Sequence, residues 1–389
     1  MAAHHRHQAS LECVLDFSAQ TPLSSEELAL ASLTFRKLLD HCEPVQGGKP
    51  YKKATLVRLM YEHSRIKDVF LQQLFVYLGS HSSLPGFTGG LKRFSGFDPE
   101  SPSDQKEAEG AVDGFADYLF NNFFLPMKAS GLRTPQPTPA ALSAPALENA
   151  VGTPSRLSTL RRDCLIRDHY RCVATRSFDI TEAYNRHKRD GANSKDDEGE
   201  PLIQSKDSLA VLEVAHIIPH SLMSADDRQQ LSDSKKSALA ILDMFDPGVI
   251  HEIEGPNIDR PTNAITLTSH VHYLFGNFMI HFTSMDPVDY PPHTYRIGSA
   301  ETDNPFSPSW LPVTRTLHLS LNRTIDPPSR RLLGIHRSCA VILHLSAAGD
   351  HADQILRDME EPCVPSDGSA HLGHLVSLKL NGWFDGVAV

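Results

Sequence analysis

Apolar positions recur with helical spacing through the first third of the chain. Ser24 and Glu27 have the separation of a capping box just ahead of Leu28, Leu30, Leu33 and Phe35, which predicts a helix start. A second helical stretch runs over 51–78. A third covers 104–124, where Val112, Phe115, Leu119 and Phe123 share one face and the polar residues between them face outward. Over 129–155 the pattern stops. Pro135, Pro137, Pro139, Pro145 and Pro154 alternate with Ala, Ser, Thr and Gly, a composition that cannot bury enough apolar surface to offset chain entropy. This stretch reads as a linker between a helical N-terminal region, 1–128, and a domain over 156–298, with a C-terminal extension, 299–389, expected to pack on that domain.

Beyond the linker the spacing changes. The run Ala-Val-Leu-Glu-Val-Ala-His-Ile-Ile-Pro at 210–219 predicts a buried strand that Pro219 ends. A helix is expected over 232–245, a short strand over 264–267 and a helix opening at Ser269. Strands over 278–283, 294–297 and 317–321 follow, then helices over 328–346 and 354–361. Such a mixture defines an α+β class with an α/β C-terminal region. The segment 190–207, acidic and bearing Ser and Gly, reads as a mobile loop.

Length and charge narrow the picture. A chain of 389 residues with 40% hydrophobic content is too long for one uniform core. The formal charge is −10, so a nucleic-acid partner has to be held by a local basic patch. Residues 156–189 offer one, with nine Lys and Arg against four acids. Arg161, Arg162, Arg167 and Arg171 are its candidate phosphate contacts; the plainer reading is a solvated helix face. Six cysteines without a C-x-x-C pair fit a reduced compartment and disfavour a zinc-organised domain. No run approaches the ~18 apolar residues of a membrane span, and the first residues lack an h-region, so the chain reads as cytoplasmic or nuclear.

Three positions carry candidate chemistry: His216 at a strand end, Asn263 before the next strand and His272 in the following helix. Phosphodiester hydrolysis needs a base for water and a cation for the phosphate charge. A neutral imidazole suits the first task because its ordinary pKa is near 6.5. His272 could offer a ring nitrogen to the cation. Asn263 suits bridging two backbone segments and so fixing the loop that aims His216.

The residues around these positions resemble a known family. The runs Leu-Glu-Val-Ala-His-Ile-Ile-Pro at 212–219, Arg-Pro-Thr-Asn-Ala-Ile-Thr-Leu-Thr-Ser-His-Val-His-Tyr-Leu-Phe-Gly at 260–276 and Asp-His-Tyr-Arg-Cys-Val-Ala-Thr at 168–175 are similar to the HNH nuclease domain, in the version found in fungal proteins. The likeness is strongest over 156–297 and extends into the tail at 332–349 and 355–361. It implies a ββα-metal core with added strands, and a metal-dependent endonuclease with His216 as general base, Asn263 as the family's Asn and His272 as a metal ligand. The implied ion is Mg2+ first, with Mn2+ or Zn2+ as alternatives, and the implied substrate is DNA ahead of RNA. Two family ligand positions are occupied by Ala215 and Gly276, which leaves Glu213 and His270 as replacement ligands. A catalytically impaired module that keeps the fold for binding nucleic acid or protein is the alternative, with the N-terminal helices as a surface for a protein partner.

Overall fold

The computed structural model describes residues 22–80, 86–131, 154–225, 230–301, 307–320, 322–357 and 372–384. Most of 129–155, Cys13, Cys363 and the end of the helix expected over 354–361 lie outside these. The chain forms two compact units, one of Met1–Pro126, Asp226–His251 and Val341–Asn381, the other of Met127–Ala225, Glu252–Ala340 and Gly382–Val389. Among the described residues no single helix is long and apolar enough to cross a membrane.

The first unit is helical. Ser25–Cys42 opens on a complete capping box, with Ser24 Oγ accepting from the Glu27 amide at 3.2 Å and Glu27 Oε2 accepting from the Ser24 amide at 3.0 Å. Its Phe35, Leu38 and Leu39 are buried, as are Leu56, Met60, Phe70, Phe75, Phe115 and Leu119 of neighbouring helices. The stretch expected over 51–78 is two helices, Lys53–His63 and Lys67–Gly79. The break has a local cause: Ser64 is extended, and Lys67 Nζ reaches back to donate to the carbonyls of Tyr61, Glu62 and Ser64 at 2.6 to 2.8 Å. Lys67–Gly79 crosses Phe87–Ser95 so closely that a Cβ on Gly90 would collide with the Phe75 carbonyl oxygen. Pro102–Leu119 runs on into a π turn, Phe120–Phe124, which buries Phe120, Phe123 and Phe124 together. Asp233–Phe245 is capped by Ser232.

The second unit is mixed. Helix α1 is Pro154–Arg167, and strands β1 (Phe178–Asp179) and β2 (Leu209–Ala210) pair in parallel around α2 (Ile180–Asp190). Strands β3 (Leu212–His216) and β4 (Ala264–Thr268) form an antiparallel ladder running from Leu212 opposite Thr268 to His216 opposite Ala264. Helix α3 (Ser269–Gly276) follows β4 directly, capped by Thr268. Strands β5 (Ile280–Ser284), β6 (Thr294–Ser299) and β7 (Val313–Thr316) make a separate antiparallel sheet in that order.

Three expectations are corrected here. The strand expected over 317–321 lies earlier, at β7: Thr316 pairs with Thr294, the first residue of β6, and past that pair one bond follows, from the Leu317 amide to the His293 carbonyl at 3.0 Å. The helix expected from 328 starts at Arg330, after Ser329, whose Oγ accepts from the Leu332 amide at 3.3 Å. Nor is the acidic segment 190–207 a loose loop. Asp196 accepts from the amides of Glu198 and Glu200 at 3.0 and 2.7 Å and from Arg171 at 2.5 Å, and Arg186 grips both oxygens of Asp197.

His336, from the helix Arg330–Leu345, is 2% exposed; it stacks on Phe275 with ring centroids 3.7 Å apart, and its Nε2 lies 3.1 Å from the Phe275 carbonyl. Burial pushes its pKa down to about 3, so it is neutral when folded, while in the unfolded chain it takes up a proton near pH 6.5. The stability this contributes is present above pH 6.5 and is lost as the pH falls towards the folded value. Urea midpoints measured from pH 7 to pH 5 should therefore show a loss approaching about 1.4 kcal/mol per pH unit below 6.5.

Candidate active site

The β3–β4 ladder has helices on both faces, and the pleat decides which side chain meets which helix. Leu212, Val214 and His216 point one way and Glu213 and Ala215 the other. Val214 and Ala264 are buried with Leu160 and Cys164 of α1. Glu213 is met by α3: its Oε1 accepts from Ser269 Oγ at 2.7 Å, and its Oε2 lies 2.6 Å from His272 Nδ1. His216 and the Glu213–His272 pair are therefore on opposite faces of one short ladder.

On the α1 face, His216 Nε2 lies 3.1 Å from Asp259 Oδ1, with the two side chains 1% and 0% exposed. Arg156 Nε stands 3.8 Å from the other Asp259 oxygen, an ionic contact beyond hydrogen-bond length, while Arg156 Nη2 donates to the Pro256 carbonyl at 2.7 Å. His220 is buried with its ring centroid 5.6 Å from that of His216. Asn263 is fully buried. Its Oδ1 accepts from the Ile218 amide, and its Nδ2 donates to the carbonyls of Ile218 and Ile258, all at 2.9 Å. Both of its amide hydrogens are spent on backbone, so it clamps the segment after His216 to the one before β4.

On the α3 face, the hydrogen bond from His272 holds the Glu213 carboxyl below the usual range, with Ser269 adding to it and burial opposing. An imidazole bound through Nδ1 to a carboxylate presents Nε2 as the more basic atom, the arrangement seen around metal-bound histidines. His272 with Glu213 is thus the pair on this ladder suited to a cation. His270 could join them only if α3 began after it. The helix begins at Ser269, so His270 lies about 200° around the axis from His272, and it is exposed. Ala215 is fully buried beneath α3.

The basic stretch is tied into the fold to different degrees, and burial removes Arg167 from the four expected phosphate contacts. Arg167 is 0% exposed and uses all five donors. Two go to Asp168 at 2.8 Å, and the others reach the carbonyls of Pro261, Ala264 and Asp326 at 2.7, 3.0 and 3.4 Å. Arg171 holds Asp196 and the Arg176 carbonyl. Arg161 donates to the Leu212 carbonyl at 2.9 Å. Arg162 alone among the four is well exposed, paired with its neighbour Asp163 at 3.0 Å. Asp259 was not marked by the sequence pattern; it lies 43 residues from His216, and only the fold joins them.

A family model described as HNH endonuclease matches residues 172–283, the span from the end of the α1 turn through β3, β4 and α3 to β5. The match supports an HNH-superfamily domain in this part of the chain, and such a domain implies a nuclease acting on nucleic acid. No curated protein and no solved structure matches the chain.

Proposed function

We propose that the second unit is a metal-dependent nuclease that hydrolyses phosphodiester bonds, with β3, β4 and α3 as a ββα-metal core. The observation that carries this reading is the coincidence of the HNH match with a strand ending on His216, a strand preceded by Asn263 and a helix carrying His272 one turn in. In this reading the substrate phosphate sits across the edge of the ladder, so that His216 on one face takes the proton of the attacking water while the cation is held on the other; Asp259 orients the His216 ring and stabilises the imidazolium that forms, and Asn263 keeps the strand end in place. His272, its ring held by Glu213, would hold a divalent ion. With one protein donor, oxygens from water and the substrate phosphate would complete the coordination of a weakly held hard ion such as Mg2+, Mn2+ being an alternative. When bound, the ion neutralises charge on the scissile phosphate. DNA is favoured over RNA as substrate.

The family ligand positions filled by Ala215 and Gly276 favour a second reading, a binding module with little catalysis. Plasmid and single-stranded DNA and RNA, incubated with the full chain and Mg2+, Mn2+ or chelator, separate the two. Cleavage abolished by chelator, with His272→Ala raising the metal concentration for half-maximal rate by about 10-fold or more, supports the nuclease. Retained nucleic-acid binding with no cleavage under any metal supports the module.

A further inference from the structure

We propose that His169, Glu198 and His318 form a second metal site, one that takes a borderline transition ion of the zinc type and ties three distant segments of the unit together. The three come from the turn after α1, from the acidic segment and from the residues following β7. One donor atom from each lies within 4.8 Å of the other two. His169 Nδ1 is 2.6 Å from Glu198 Oε1, His318 Nδ1 is 3.7 Å from the same oxygen, and the two rings stack with centroids 4.6 Å apart.

The hydrogen bonding of His169 asks for a cation. Its Nε2 lies 3.3 Å from the Leu319 carbonyl and its Nδ1 faces the carboxylate, so both ring nitrogens point at acceptors. A neutral imidazole carries one N–H and satisfies one acceptor; the other contact needs a proton or a metal ion in between. With Nε2–H given to the carbonyl, Nδ1 becomes a lone-pair donor fixed by its backbone partner. His318 Nδ1 converges on the same point, which a single proton does not require and a metal does. Arg171 Nε stands 3.7 Å from the other oxygen of Glu198 and leaves Oε1 to the imidazoles. Two imidazoles and a carboxylate are a donor set for Zn2+, with water in a fourth position; donors on one tetrahedral zinc stand about 3.3 Å apart, so the His169–Glu198 contact opens and His318 closes in as the ion binds. The set shares no residue with the Glu213–His272 pair, so this site stands whether or not the chain is a nuclease.

The test is a titration of the full chain, freed of metal by chelator, with Co2+ as the spectroscopic probe and Zn2+ as its competitor. We expect a visible d–d band that saturates at one equivalent and is displaced by Zn2+. It should be lost in His318→Ala and His169→Gly and retained in His272→Ala and Glu213→Gln. His169 sits at φ 55°, a left-handed conformation that glycine adopts freely, so His169→Gly removes the ligand while easing the backbone. Its melting temperature without metal should match or exceed the wild type, and Zn2+ should raise the wild-type value only. No band, a band indifferent to His169 and His318, or a band that disappears with His272 would each overturn the proposal.

Discussion

Replacing His216 with alanine should lower divalent-metal-dependent cleavage of plasmid by on the order of 10²-fold or more. The change does more than delete a base. Asp259 is fully buried against His216, so a stability cost of about 1–3 kcal/mol should accompany the lost activity. Asp259→Asn separates these effects, because it preserves volume and a hydrogen bond while removing the charge that stabilises an imidazolium. Its melting temperature should stay closer to the wild type, and its cleavage should still fall by more than 10-fold. Cleavage by His216→Ala at the wild-type rate, assayed on folded protein, would remove His216 from the mechanism.

The largest expected loss of stability is at Arg167. Its five donors are bound inside the protein, and Asp168, its carboxylate partner, also accepts from the Thr266 amide at 3.2 Å. Arg167→Ala leaves Asp168 buried and uncompensated together with the carbonyls of Pro261 and Ala264, which should cost about 3–5 kcal/mol. Arg167→Lys should recover little, since one ammonium cannot reproduce the paired geometry. Arg162→Ala, two thirds exposed, should change stability by no more than about 0.5 kcal/mol. Urea midpoints of the three variants check both statements. A small loss at Arg167 would mean that its network contributes far less than its geometry indicates.

What could be read in the sequence follows from how far apart the interacting residues lie. The helix start at Ser24 and Glu27 and the Thr268 cap ahead of Ser269 are bonds between residues three apart, and the spacing alone carries them. The apolar run ending at Pro219 is equally local. Even the separation of His216 from Glu213 was implicit, because residues three apart on a strand face opposite ways. Their partners were not legible: Asp259 and His272 are 43 and 59 residues distant, and only the ladder and α3 bring them in. Charge counting over 156–189 missed the burial of Arg167 for a related reason. A basic residue next to an acid, as Arg167 is to Asp168, counts as surface in a tally and becomes core when the chain closes over it. Leu317 and Leu319 alternate as a strand would, yet a strand needs a partner over several residues, and the pairing with β6 closes at Thr316 with one further bond from the Leu317 amide to His293.

The pleat of β3 also sets how the length of this segment can change. Its side chains address two different layers in alternation, so the strand admits shifts only in steps of two residues. One residue inserted or deleted between Glu213 and His216 would turn a carboxylate into the apolar packing of Leu160 and Cys164, or an imidazole into the layer beneath α3. Variation in chain length near the site is therefore confined to the flanking segments, while the strand itself tolerates only exchange of one side chain for another.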